Sequence, residues 1–230
     1  VDPVALIPRA LHRVWIHPPG PPMPAEFARY GARWCALHPE WSCRDWSRIE
    51  DLGPLLNQAL YDEPPAAHLH RCRADVVRLE VLWQRGGVYV DTDVEPIRPL
   101  DPLRVAVQRA GATAFLAWSS NRWRGRRLVS NAVIGAVPGH PFIRRAIAEL
   151  PRSVAAHPGR FLALQTVHYL TDLLGPLTRA GVSAEGVLVL PEASFYPRSI
   201  PQRRAGRAVQ LTPDTYGIHH WAHSRTGVPT

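Results

Sequence analysis

The chain has 230 residues, 46% of them apolar and 20% charged, with a mean hydropathy near zero. That balance excludes a disordered or fibrous chain and gives enough apolar surface for a core, so one α/β domain over residues 1–230 is expected. The net charge of +8 admits anionic partners (nucleotides, nucleic acid, acidic membrane) without choosing among them.

Leu11 to Ile16 reads as a first buried strand, stopped by His17-Pro-Pro-Gly-Pro-Pro. Pro24 to Leu37 is expected as a helix, Trp41 to Trp46 as a short strand, and Asp51 to Leu60 as helical. The most regular stretch, Ala66 to Arg85, has the length and composition of a helix, and Gly86-Gly87 supplies its stop. Val88-Tyr-Val90 follows as a short buried strand running into Asp91-Thr-Asp93. Strands over Ala114 to Trp118 and Ala132 to Val137 flank a polar stretch, Ser119 to Arg127. Helices over Pro141 to Leu150 and Phe161 to Leu174 and a strand over Val187 to Leu190 complete the pattern. Strands alternating with helices point to an α/β sheet.

All 27 basic residues are arginine. That fits biased codon usage or phosphate handling, since a guanidinium forks onto phosphate oxygens and keeps its charge. Cys35, Cys43 and Cys72 are odd in number and form no CxxC pair. They read as buried thiols in a reducing, cytoplasmic compartment rather than as a disulfide framework or a zinc site. No apolar run reaches the ~18–20 residues of a membrane span. The start shows no signal-peptide pattern, although it begins at Val1 rather than Met.

The chemistry concentrates in Arg73-Ala-Asp75-Val-Val-Arg78 and Tyr89-Val-Asp91-Thr-Asp93. On an extended segment Asp91 and Asp93 face the same way, and two hard oxygen ligands after a buried strand suit Mg²⁺ or Mn²⁺ holding a diphosphate. Asp75 and Arg78 share a helix face. Their spacing alone reads as a surface ion pair, while the apolar residues around them (Val76, Val77, Leu79, Val81, Leu82, Trp83) argue for a buried pair with a use. Three other signals rank lower. His219-His220-Trp-Ala-His223 has an i, i+4 histidine spacing, yet it lacks the glutamate of a helical zinc site and follows Pro213 and Gly217. Arg122-Trp-Arg-Gly-Arg-Arg127 and Arg203-Arg-Ala-Gly-Arg207 read as solvated loop ahead of a nucleic-acid patch. Trp34, Trp41 and Trp46 read as core rather than stacking platforms.

The segment RADVVRLEVLWQRGGVYVDTDVEPIRPLD resembles the core of the DXD sugar-binding glycosyltransferases of family 32, relatives of the clostridial glucosylating toxins. Ile7 to Trp15, Ser130-Asn-Ala132, Pro138 to Phe142, Gly175 to Thr178, Phe195-Tyr-Pro197 and His219 to Ser224 agree in order. The resemblance implies a GT-A fold, a nucleotide-binding Rossmann-like sheet flanked by helices. It also implies a retaining transfer of a hexose from a nucleotide diphosphate sugar, UDP-linked in preference to GDP-linked, to an acceptor hydroxyl. The acceptor is left open and an anionic one is admitted. By motif, Asp93 ligates Mn²⁺ or Mg²⁺, Asp91 contacts ribose and the metal shell, and Asp75 and Arg78 hold donor-sugar hydroxyls. Tyr89 lies beside the nucleotide, Trp15 stacks on the base, Asn131 lies near the anomeric carbon, and His219 and Ser224 close over metal and diphosphate. The family usually follows that serine with Trp; here Arg225 stands there, with more N–H donors and a charge to offer the diphosphate. A reading from another class remains, a non-catalytic basic module for nucleic acid or anionic membrane.

Overall fold

The computed structural model describes residues 5–16, 22–63, 69–156 and 162–222, with the side chains of 69–71 and 162–165 left aside. A six-stranded mixed sheet runs in the order β2-β1-β3-β6-β5-β7, formed by β1 (Ala10–Val14), β2 (Ser42–Trp46), β3 (Gly87–Val90), β5 (Ala114–Trp123), β6 (Arg126–Ala136) and β7 (Val187–Leu190). β2, β1 and β3 are parallel, β6 runs antiparallel to both β3 and β5, and β7 lies parallel to β5. A separate two-stranded ribbon pairs β4 (Val94–Pro96) with β8 (Gly217–His219) across most of the chain.

The pleat sends alternate side chains to two apolar layers. Tyr89 points to the layer built with α3 (Leu69–Arg85), α5 (Pro141–Ala155) and α6 (Leu162–Leu174). Val88 and Val90 point to the other, which Trp34 of α1 (Ala25–Leu37) and Leu103 and Val107 of α4 (Asp101–Arg109) fill. Helices on both faces of the sheet give the α/β sandwich expected from the alternating pattern. Trp34, Trp41 and Trp46 are core residues, as read.

The structure departs from the sequence reading at several points. Asp51 to Leu60 is not one helix; a 3-10 turn (Glu50–Leu52) and short α2 (Gln58–Asp62) are split by Gly53, at φ +68°, and Pro54. The polar Ser119 to Arg127 stretch is not a loop, because β5 and β6 extend through it to a tight turn at Arg124-Gly125, both at positive φ. Pro151 does not end α5. It removes the N–H that would reach Ile147, and the Asn57 side-chain amide donates to that carbonyl instead, at 2.8 Å. α4, β4, β8 and the short α7 (Ile200–Arg204), which takes in part of the second arginine cluster, were not read from the sequence. Of the cysteines only Cys72 is buried; Cys43 is half-buried and Cys35, near the end of α1, is exposed.

Gly86-Gly87 does more than stop α3. Gly87 sits at φ +96°, and a Cβ there would stand 2.5 Å from the Ala10 carbonyl oxygen, so a side chain would push β3 off β1. Beside it, buried His12 presents Nε2 to the Gly86 carbonyl at 2.9 Å and Nδ1 to the Trp46 indole N–H at 3.3 Å. Those partners fix a neutral imidazole with its proton on Nε2. Burial lowers the His12 pKa to about 4. An unfolded histidine takes its proton near 6.5, so the unfolded chain binds more protons between those values and stability falls as pH drops through that window. We expect His12 to cost about 2 kcal/mol of unfolding free energy between pH 7 and pH 5. Urea titrations should show that step shrink in His12→Gln; an equal step in both proteins would assign it to other groups.

Candidate active site

The site lies beyond the carboxyl ends of β1 and β3, neighbours in the sheet, where open α/β sheets bind their ligands. Asp91 leaves β3 with its N–H bonded to the Ala132 carbonyl, and the chain then turns rather than staying extended, with the Val94 N–H returning to the Asp91 carbonyl. The turn corrects the extended geometry expected for the Asp-x-Asp. It leaves Asp91 partly open, side chain 24% exposed, and buries Asp93.

The β4–β8 pairing then brings His219 to the two carboxylates. Its Nε2 lies 3.1 Å from Asp93 Oδ1 and 3.9 Å from Asp91 Oδ2, and one donor atom from each of the three residues falls within a 4.8 Å span. Burial favours a neutral His219, but the charge and hydrogen bond of Asp93, then the charge of Asp91, outweigh it and raise its pKa. The Ala222 backbone N–H donates to Asp93 Oδ2 at 2.8 Å, pinning that carboxylate from the C-terminal side. Trp221, at the strained φ of +51°, lays its ring 4.1 Å from the His219 ring, and its carbonyl accepts from Arg203. His219 leaves a strand, not a helix, so the zinc-helix spacing does not apply.

A third carboxylate stands behind the first pair. Asp75 and Arg78 form a buried ion pair on α3 at 2.8 Å, not a surface one. Arg78 also reaches Asp91 at 3.3 Å and donates to the Asn131 carbonyl at 2.6 Å. Burial opposes its charge, but Asp91, Tyr89 and Asp75 more than compensate and raise its pKa. Asn131 on β6 donates its amide to Asp75 Oδ1 at 3.1 Å, and Thr166 on α6 donates to Oδ2 at 3.2 Å. Tyr89 is wholly buried under Arg78, and its hydroxyl donates to Asp91 at 2.5 Å. Trp15 lies just past β1, half-buried, edge-on to Phe27 with centroids 6.1 Å apart. Ser224 and Arg225, and His223 with them, lie outside the described residues. Sequence reasoning missed Thr166 and the Ala222 N–H; no local pattern marks a threonine on a distant helix or a backbone donor.

Three carboxylates, Asp75, Asp91 and Asp93, face one guanidinium, Arg78, so with His219 neutral, as a metal ligand must be, the cluster carries two excess negative charges. Two carboxylates and an imidazole converging there fit a divalent cation.

Residues 24–109 match the family model described as a glycosyltransferase sugar-binding region containing a DXD motif. The chain is 31% identical over 180 residues to inositol phosphoceramide mannosyltransferase 3 of Schizosaccharomyces pombe, covering 75% of this chain and 44% of that protein. It is 36% identical over 158 residues to human alpha-1,4-N-acetylglucosaminyltransferase, covering 65% and 42%. Among solved structures, PaToxG glycosyltransferase superposes at a TM-score of 0.58 over 74% of this chain and 69% of that one, at 14% identity. The fold is a mixed α/β, GT-A-like one. On this GT-A frame the matched region carries α3, β3 and the Asp91-Thr-Asp93 turn, whereas His219, Asn131 and Thr166 come from outside it. The chain spans less than half the length of these curated relatives. Among the described residues no helix is long and apolar enough to cross a membrane.

Proposed function

We propose that the chain is a single GT-A domain of the family 32 type that transfers a hexose from a nucleotide diphosphate sugar to an acceptor hydroxyl, with retention at the anomeric carbon. The observation that carries this reading is the convergence of Asp91, Asp93 and His219 at the end of β3, inside the sugar-binding pattern. Asp93 and His219 hold Mn²⁺ or Mg²⁺, and Asp91 contributes from the open side. The imidazole ligand favours Mn²⁺, since Mg²⁺ prefers an all-oxygen shell. When bound, the cation neutralises charge on the leaving diphosphate.

The chain's own residues bind and orient the donor. Arg78 keeps its charge at all accessible pH and is paired with Asp75 at 2.8 Å, so the pair presents a fixed acceptor and donor to sugar hydroxyls. Asn131 fixes the Asp75 carboxylate and lies where the sugar meets the diphosphate. Tyr89 orients Asp91 by its hydrogen bond. Transfer then depends on positioning and charge stabilisation, with the donor's own phosphate oxygen taking the acceptor proton. Ser224 and Arg225 belong to the same donor-closing segment by motif. The two curated relatives are named for different sugars, so the hexose is not carried over from them. A UDP donor is favoured, and a reducing compartment fits the three free thiols.

Trp15 stacks on the nucleobase in this reading. Its half-buried ring makes Trp15→Ala a binding variant: nucleoside diphosphate affinity should fall about 5- to 150-fold, the range of base–aromatic stacking, with little change in melting temperature. A large loss of melting temperature with unchanged affinity would make Trp15 a core residue. The whole reading is tested by incubating the protein with a panel of nucleotide sugars, with and without Mn²⁺, and detecting free nucleoside diphosphate by mass spectrometry. Metal-dependent release supports a transferase. Metal-independent, steeply salt-dependent binding to DNA or anionic vesicles, with no release, would favour a basic binding module.

A further inference from the structure

Tyr169 sits one turn beyond Thr166 on α6, so the two side chains share the helix face that covers Asp75. Its ring is part of the apolar layer with Leu170 and Leu174. Its hydroxyl is sealed from solvent and has no hydrogen-bond partner among the described residues. Burial, then the nearby Asp75 charge, raises its pKa against the pull of Arg78, so the phenol stays neutral and keeps both a donor and an acceptor. A phenylalanine would fill the same space without leaving a polar atom unmet, so packing alone does not call for the hydroxyl. Thr166 differs, because its hydroxyl is already committed to Asp75 Oδ2.

We propose that the Tyr169 hydroxyl bonds a hydroxyl of the donor sugar held by Asp75 and Arg78, and so selects which nucleotide sugar the site accepts. This inference rests on the transferase reading. A buried polar group that demands a hydroxyl at one position rejects a sugar lacking it there, because the rejected sugar leaves the group unpaired. Arg78 and Asn131 reach the Asp75 carboxylate from α3 and β6, and Thr166 reaches it from α6, the helix that carries Tyr169.

The test compares wild type with Tyr169→Phe. UDP-glucose, UDP-galactose, UDP-N-acetylglucosamine and GDP-mannose are assayed with Mn²⁺, alongside affinity for UDP and GDP alone and the melting temperature of metal-free protein. We expect an equal or higher melting temperature and unchanged affinity for the bare diphosphate. The kcat/KM for the best donor should fall about tenfold or more, and its lead over the next donor should narrow with it. An unchanged donor ranking, with wild type turning over at least one donor, overturns the inference and leaves the transferase reading standing. A uniform loss over all four donors with a lowered melting temperature also overturns it, marking a structural hydroxyl. No release from any of the four donors by wild type overturns both.

Discussion

Asp93→Asn is expected to abolish metal-dependent donor turnover while leaving the fold intact. The swap is nearly isosteric, and the amide oxygen can still accept the Ala222 N–H that now reaches Oδ2 at 2.8 Å. What disappears is the charge. Asp93 contributes one of the two excess negative charges that balance a divalent cation, and it is the buried carboxylate of the pair. Losing a mere outer partner of a metal ligand costs about 10- to 100-fold in affinity or activity, so loss of a ligand should exceed about a hundredfold. Without metal, the melting temperature should change little, because relief of the repulsion from Asp91 is set against the lost attraction to His219. Turnover at the wild-type level would remove Asp93 from the metal site.

Arg78→Met is expected to be the most destabilising change in the site. Arg78 alone among the described residues bridges Asp75 on α3, Asp91 after β3 and the Asn131 carbonyl on β6. Removing one partner of a buried ion pair costs about 3–5 kcal/mol, because the carboxylate left behind cannot reach water. For a chain of this size that is a fall of roughly 6–20 °C in melting temperature. Adding Asp75→Asn to the same chain should restore part of the loss, since the orphaned charge goes with it. Chemical denaturation of the single and double variants checks both. An unaltered single variant would show Asp75 to be solvated rather than held in the core.

The residues legible from sequence are those whose signal is local. Gly86-Gly87, the β-branched Val88-Tyr-Val90 and the carboxylates after it lie within eight residues, and each needs only its neighbours to be read. The burial of the Asp75–Arg78 pair followed from the apolar residues wrapped around α3. What was missed is non-local. β4 and β8 are three residues each and pair across more than 120 positions, so neither has a periodicity to detect. Helix α5 outlasts Pro151 only because Asn57, on a distant segment, takes over a carbonyl. Thr166 joins the site because α6 packs across α3, a fact of tertiary packing rather than of pattern. His219 was reached through the resemblance; its spacing alone pointed to a different metal site.

Metal position is the most direct test. A crystal of the protein grown with Mn²⁺ and UDP should give an anomalous difference peak between Asp91, Asp93 and His219, with the diphosphate oxygens completing its shell and the uracil near Trp15. UDP bound at the end of β3 with no peak at those three side chains, or a peak at another cluster, would contradict the account.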